Sequence, residues 1–270
     1  MAGNERQIAE LLQRGETVRG VTLVGNFARR TMRKARFEQC DLGGSDFNHA
    51  DLSGAVFRDC RLEGANFNGA ILNQSSFSGC DLQACSLETA VLEETELSGC
   101  NLDRARLPRV DLRKARSRDC SLAGADLAAA LVTAGLLRSS RLDQAILAEV
   151  NLEGADLSGA VLVRVILRKA KLKNVRLDRA RLDESRLDGA DLSGLQAEKL
   201  SARGVTLAGA NLSGSAIYET DLAVGDLSGA DLSGARWRAV NLSDANLAGT
   251  RSEEHTSELQ SQFHLVCRLL

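Results

Sequence analysis

The feature that most restricts this chain is a period of five residues held in phase over most of its length. From Phe27 to Leu247 every fifth position is a centre, 45 consecutive pentads of which 32 centres are Leu and six are Phe. The exceptions are Met32, Ser117, Val132, Ala197, Ala202, Ile217 and Trp237. Two residues before each centre the side chain is small, most often Ala. A period of five matches neither the 3.6-residue helix nor the alternation of a strand. One pentad buries a large and a small side chain and has no core of its own, so its buried pair must stack on copies above and below. Each pentad is therefore one side of a coil, with parallel backbone hydrogen bonds linking coils about 4.8 Å apart.

The coil length is also written in the residues. Cys40, Cys60, Cys80, Cys100 and Cys120 recur every 20 residues at the small position, and Phe27, Phe47, Phe67 and Phe37, Phe57, Phe77 form two columns on the same spacing. The repeat, seen as A-D-L-S-G at 50–54 and A-N-F-N-G at 65–69, resembles that of the pentapeptide repeat proteins. That resemblance spans residues 25 to 250 and implies an all-β fold, a right-handed quadrilateral parallel β-helix with four pentads per coil. It predicts about eleven coils in a rod roughly 50 Å long.

Three segments are expected. Residues 1–16 are predicted to form a short N-terminal capping helix. Asn4 is its N-cap with Gln7 three residues on, Ile8, Leu11 and Leu12 share one face, and Gly15 ends it. Residues 17–250 form the β-helix, entered through an irregular stretch at 16–26. Residues 251–270 share nothing with the repeat. Their first part, R-S-E-E-H-T-S-E-L-Q-S, resembles the translation of a sequencing-library adapter, so this tail is expected to be non-native or disordered and the natural sequence beyond 250 to be missing.

Composition narrows the function classes. The net charge of −2 from 34 basic and 36 acidic residues gives no bulk case for nucleic acid. No apolar run is long enough to span a membrane, and there is no signal-peptide core. Seven cysteines, five of them on one spacing, read as buried reduced thiols in a cytoplasmic protein. Five parallel thiols cannot converge on a tetrahedral metal. His49 is alone among the repeats, and no phosphate-binding glycine loop is present. No catalytic residue, metal or cofactor is therefore expected. Leu195 and Leu200 occupy small positions while Ala197 and Ala202 are centres, a swap that conserves volume, and Trp237 is read as filling the last coils.

Charge is distributed in blocks. Residues 37–103 carry 12 acids and two bases, residues 104–186 carry 18 bases and 10 acids, and residues 187–250 carry eight acids and four bases. Residues 20 apart are vertical neighbours, which sets Glu93, Glu94 and Glu96 under Arg113, Lys114 and Arg116. It likewise sets Glu149, Glu153 and Asp156 under Lys169, Lys173 and Arg176, and Arg168 and Lys171 under Asp188 and Asp191. Such stacking reads as inter-coil stapling. Outward apolar residues at Ile71, Val91, Leu131, Leu136, Ile146, Val161 and Ile166 suggest a patch. With Arg164, Arg168, Lys173 and Arg176 it is the expected partner surface.

The sequence thus points to a non-enzymatic protein-binding or scaffold module, with a second copy of the chain among the candidate partners and neither membrane nor nucleic acid expected. Two alternatives follow from the resemblance and from the tail. One is a DNA mimic directed at a topoisomerase such as gyrase, as in quinolone-resistance members. The other is the repeat portion of a larger effector or enzyme whose C-terminus is lost.

Overall fold

The computed structural model describes Ile8, Glu10, Leu11 and residues 15–252. They form an all-β parallel solenoid of about eleven turns, in two compact units, 1–136 and 137–270. Ile8, Glu10 and Leu11 are helical and Ile8 is buried. The rest of the expected capping helix and nearly all of the 251–270 tail lie outside the described residues.

Most solenoid turns have one side that forms a true strand. In the first unit these are β1 (Thr17–Arg19), β2 (Arg36–Glu38), β3 (Val56–Arg58), β4 (Ser76–Ser78), β5 (Glu96–Ser98) and β6 (Arg116–Arg118). They make one parallel sheet in chain order. In the second unit β7 (Gln196–Glu198), β8 (Ala216–Tyr218) and β9 (Arg236–Arg238) make another. The remaining sides pair through single parallel bridges, such as Asp46↔Asn66 and Asp51↔Ile71 in the first unit and Ile146↔Ile166 in the second. The register is 20 residues throughout, as in Phe37↔Phe57, with one exception. Val18 pairs with Phe37 and Thr22 with Asp41, so the first turn is one residue short. Val18 and Leu23 are buried there as two further centres. The stretch at 16–26 is thus part of the repeat, and the one-residue deletion hides it from a strict count of fives.

The interior follows the two buried positions of the pentad. Phe27, Phe47 and Phe67 stack with centroids 5.0 and 4.7 Å apart, and Phe37, Phe57 and Phe77 at 5.1 and 4.7 Å. The two columns meet edge to face at 6.4 Å. Such contacts add about 0.5–1.5 kcal/mol each beyond area burial. In the second unit the Ala197 and Ala202 centres leave a small apolar cavity of about 20 Å³ bordered by Leu195, Leu200, Ala202, Ile217 and Trp237. Trp237 fills the space beside it, and its Nε1 donates to Ser215 Oγ at 2.8 Å, so the buried indole is satisfied.

Corners turn through a residue in the left-handed region two positions after each centre. Glycine holds it at Gly54 (φ 66°), but Lys34 (57°), Lys169 (55°) and Val224 (60°) hold it as well. The geometry is set by the coil, and the side chain adapts. Left-handed backbone costs an L-residue about 1–2 kcal/mol, and β-branched Val224 fits it worst.

Two stability predictions follow from this packing. Val224 is 49% exposed and gives little to the core, so Val224→Gly should raise unfolding stability by about 1 kcal/mol. Ser75 Oγ is buried without a hydrogen-bond partner, and Ala35 and Ala55 hold the equivalent position in the turns before it. Ser75→Ala should therefore stabilise by about 1 kcal/mol. Chemical denaturation of each variant measures both, and a loss of stability in either contradicts the account.

Candidate functional site

Chemistry can be looked for in three places. The first is the cysteine ladder. Cys40, Cys60, Cys80, Cys100 and Cys120 are buried and unlinked, and each follows a strand of the first unit. Their thiols donate to the carbonyl two residues back, at 3.3 Å for Glu38 and Arg58 and 3.4 Å for Arg118. Thr220 Oγ1 does the same to Tyr218 at 3.0 Å in the second unit. Donation toward the Cys60 sulfur and then burial raise the Cys40 thiol. Cys80 is raised in the same way by Cys100, Cys60 and burial. Cys85 stands apart, pushed up to about 12 by burial. No cluster of metal-ligating side chains occurs among the described residues, and the ladder closes the strand ends.

The second is an open cleft of about 480 Å³ in the first unit, bordered by Thr22, Val24, Asp41, Arg61 and Glu63. Its cation is already held, since Arg61 lies 3.6 Å from Asp41 and 2.8 Å from Glu63. Neither His49 nor any cysteine borders it.

The third is the outer surface, where the amide two residues before each small position needs an acceptor. Asp or Asn immediately before the centre supplies it within the pentad. Asp46 accepts from Asn48 N at 3.0 Å, Asp51 from Ser53 N at 3.1 Å and Asp156 from Ser158 N at 3.0 Å. This is the local Asx turn. Where that position lacks Asp or Asn, the turn below can supply the acceptor instead. Asn68 accepts from Glu88 N at 2.9 Å, Asn73 from Glu93 N at 3.2 Å and Asp103 from Ala123 N at 2.9 Å in the first unit. Asp178 accepts from Glu198 N at 3.0 Å and Asp183 from Arg203 N at 3.1 Å in the second.

The amides of Arg138, Asp143, Ala148 and Ala208 in the second unit have neither device among the described residues, and the longest run without either lies further along the same unit. Six consecutive pentads carry Val161, Ile166, Lys171, Arg176, Arg181 and Arg186 before the centre. Among the described residues the amides of Val163, Arg168, Lys173, Asp178, Asp183 and Asp188 make no hydrogen bond. The pentads on either side, at Asp156 and Asp191, are capped normally.

The residues predicted as a partner surface divide between the units. In the first, Leu131 is exposed and Leu136 half-buried. Asp111 interrupts the apolar column between Val91 and Leu131. In the second, Ile146 is exposed and pairs with half-buried Ile166, which pairs next with Arg186. Val161 lies between Arg141 and Arg181. Arg164 is held by Glu184 at 2.7 Å and Arg168 by Asp188 at 3.1 Å. Lys169, Lys171, Lys173 and Arg179 enter no ion pair among the described residues.

The vertical pairings expected from the 20-residue spacing are realised in part. Arg113 lies 3.6 Å from Glu93, Lys114 3.3 Å from Glu94 and Arg116 3.9 Å from Glu96. The second set fails at Asp156–Arg176, Glu149–Lys169, Glu153–Lys173 and Lys171–Asp191. Asp156 is taken by Arg138 at 2.6 Å and by Ser158 Oγ at 2.6 Å, and Arg176 turns to Asp178 in its own pentad at 2.8 Å. Arg176 thus finds an acid in its own pentad, while Asp156 is held from the turn below and by a hydroxyl in its own pentad, and exposed alternatives of this kind differ by little.

The sequence comparisons agree with this architecture. The family described as pentapeptide repeat region matches residues 30–107. The family described as pentapeptide repeats (8 copies) matches segments from 136–174 to 226–251. No curated protein sequence matches the chain significantly. Among solved structures, HetL, a pentapeptide repeat protein involved in heterocyst differentiation regulation in the cyanobacterium Nostoc sp. strain PCC 7120, is 26% identical with a TM-score of 0.40. That match covers 88% of this chain and 94% of HetL. QnrB1, a plasmid-mediated fluoroquinolone resistance protein, is 17% identical with a TM-score of 0.33, covering 92% of this chain and 94% of its own. No helix among the described residues is long and apolar enough to cross a membrane.

Asp156 offers a test of the turn caps. Burial raises its carboxyl, but hydrogen bonds from Ser158 Oγ and N–H and from Arg138 outweigh this and leave it below its ordinary value. A carboxyl lowered in the folded state stabilises the fold above its unfolded value, about 3.9, and that stability is lost as pH falls through the folded value. Asp156→Ala should cost about 1–2 kcal/mol at pH 7. The difference from the parent should shrink below pH 4 when both are unfolded in urea, and an equal difference at pH 7 and pH 3 contradicts this.

Proposed function

The chain belongs to the pentapeptide repeat family, and we propose that it is a non-enzymatic protein-binding module whose contact surface lies on the second unit between Ile146 and Arg186. The single observation that carries this reading is a surface maintained at the expense of the fold's own pattern. Six successive pentads exchange the capping Asp or Asn for apolar or basic residues, and four cations there enter no ion pair among the described residues. Nothing in the stacking of turns requires Ile166 or Lys171 to face outward. Apolar side chains ringed by unpaired cations suit a protein partner.

A DNA-mimicking action on gyrase is less well supported. It needs a coherent field from unpaired carboxylates, whereas Glu93, Glu94 and Glu96 face Arg113, Lys114 and Arg116. The purified protein should leave gyrase supercoiling unchanged at concentrations equal to the enzyme, and inhibition would reverse the ranking. A photo-crosslinking residue at Ile166 should capture a protein partner in the source cells, while one at Glu63 in the first unit should not. Equal capture at both positions sinks the assignment of the surface.

A further inference from the structure

The amides left open at the corners carry information about what binds. In capped pentads the acceptor is a carboxylate or amide oxygen about 3 Å from the N–H, presented either from two residues away or from the turn below. The donors at Val163, Arg168 and Lys173 sit in equivalent corners, on three adjoining sides of one turn. They lack only the oxygen. Among the described residues Lys169, Lys171 and Lys173 stand beside them without ion pairs, and Ile166 replaces the side chain that elsewhere fills the gap.

We propose that the partner is an acidic protein segment whose Asp or Glu carboxylates complete these corners, taking the place that Asp156 and Asp191 hold in the neighbouring pentads. This rests on the protein-binding reading above and names the partner's chemistry. Each corner would then gain a charge-assisted hydrogen bond from a backbone amide, together with attraction from an adjacent lysine. Polynucleotide phosphate offers the same acceptor but fits less well. Ile146 and Ile166 form an apolar pair in the surface, and Glu149 and Glu153, one turn below Lys169 and Lys173, enter no ion pair among the described residues and would oppose a continuous phosphate chain. A peptide can place an apolar side chain on the isoleucines and carboxylates on either side of them.

The test uses the full chain, isotopically labelled, with poly-L-aspartate as the probe and amide resonances as the readout. Titration should move the amide protons of Val163, Arg168 and Lys173 downfield and leave those of Ser158 and Ser193, already capped, in place. Ile166→Asn and Val161→Asn each supply a cap within the pentad without changing charge. In each variant the amide of Arg168 or Val163 should already be shifted before titration, and poly-L-aspartate should bind about tenfold more weakly. Because both substitutions restore the common pattern of the repeat, neither is expected to disturb folding.

Three outcomes would overturn the proposal. One is equal affinity of parent and variants, which leaves attraction by the lysines alone and keeps the protein-binding surface. Another is a uniform drift of all basic-region amides with no preference for the open corners. The third is a DNA duplex moving the same three amides at lower concentration than poly-L-aspartate, which would assign the surface to nucleic acid and also remove the protein-binding reading. Charge reversal with Lys169→Glu and Lys173→Glu separates the two levels. It should abolish crosslinking at Ile166 if the surface binds a protein, whether or not the corners are what the partner caps.

Discussion

The interaction on which everything else depends is the parallel backbone hydrogen bond between residues about 20 apart, such as Phe47 N to Asn66 O at 2.7 Å and Leu172 N to Asp191 O at 2.7 Å. A pentad supplies one such donor at its centre and another at the corner, as in His49 N to Asn68 O at 2.9 Å, and the amide before the centre donates back to the turn below, as in Asp51 N to Arg30 O at 2.9 Å. These bonds fix the height of each turn and the line of each side-chain column. Once that is set, a residue's surroundings follow from its place in the pentad. Centres meet centres, small positions meet small positions, and the outward residue meets its counterpart overhead. The left-handed corner is equally obligatory, which is why Lys169 and Val224 adopt a conformation that suits glycine. Local preference yields to the repeat at each of these sites.

Much of this was legible in the residues. Cys40 to Cys120 and the two Phe columns announce the 20-residue turn because identical side chains stack best on themselves, and the rings do so at about 5 Å. Val18 and Leu23 were hidden because a single deletion moves them out of phase, although their burial matches that of later centres. Which side of the turn forms a strand was not readable from the pentad alone. In the first unit it precedes the Cys column, and in the second it precedes Leu200, Thr220 and Val240. On the same side, Ser140, Ala160 and Ala180 follow tight corners with no strand. A bulkier residue at the small position goes with the wider corner on that side.

Charge was harder to read than shape. Vertical neighbours correctly matched Lys114 with Glu94 and Arg168 with Asp188. They mismatched Asp156, whose buried carboxylate is claimed by Arg138. Column geometry places two residues near one another, but long side chains choose among several acids within reach, and the exposed options differ by little. The candidate surface was legible only in pieces. The outward isoleucines and the basic block were both visible. Their common cause, a run of corners without Asp or Asn, emerges when each amide is followed to its acceptor.

The polar ladder also has a direction. Asn66 Nδ2 reaches back to Asp46 Oδ1 at 3.0 Å, Asn101 to Asp81 at 3.3 Å, Asn211 to Asp191 at 3.1 Å and Asn241 to Asp221 at 3.0 Å. In every case the donor belongs to the later turn and the acceptor to the earlier one. A chain emerging from the ribosome N-terminus first therefore meets, at each new turn, a carboxylate already fixed in place by the turn made before it. Growth in the order of synthesis leaves none of these four side-chain amides waiting for its carboxylate, whereas assembly from the other end would strand each of them until the turn beneath arrived.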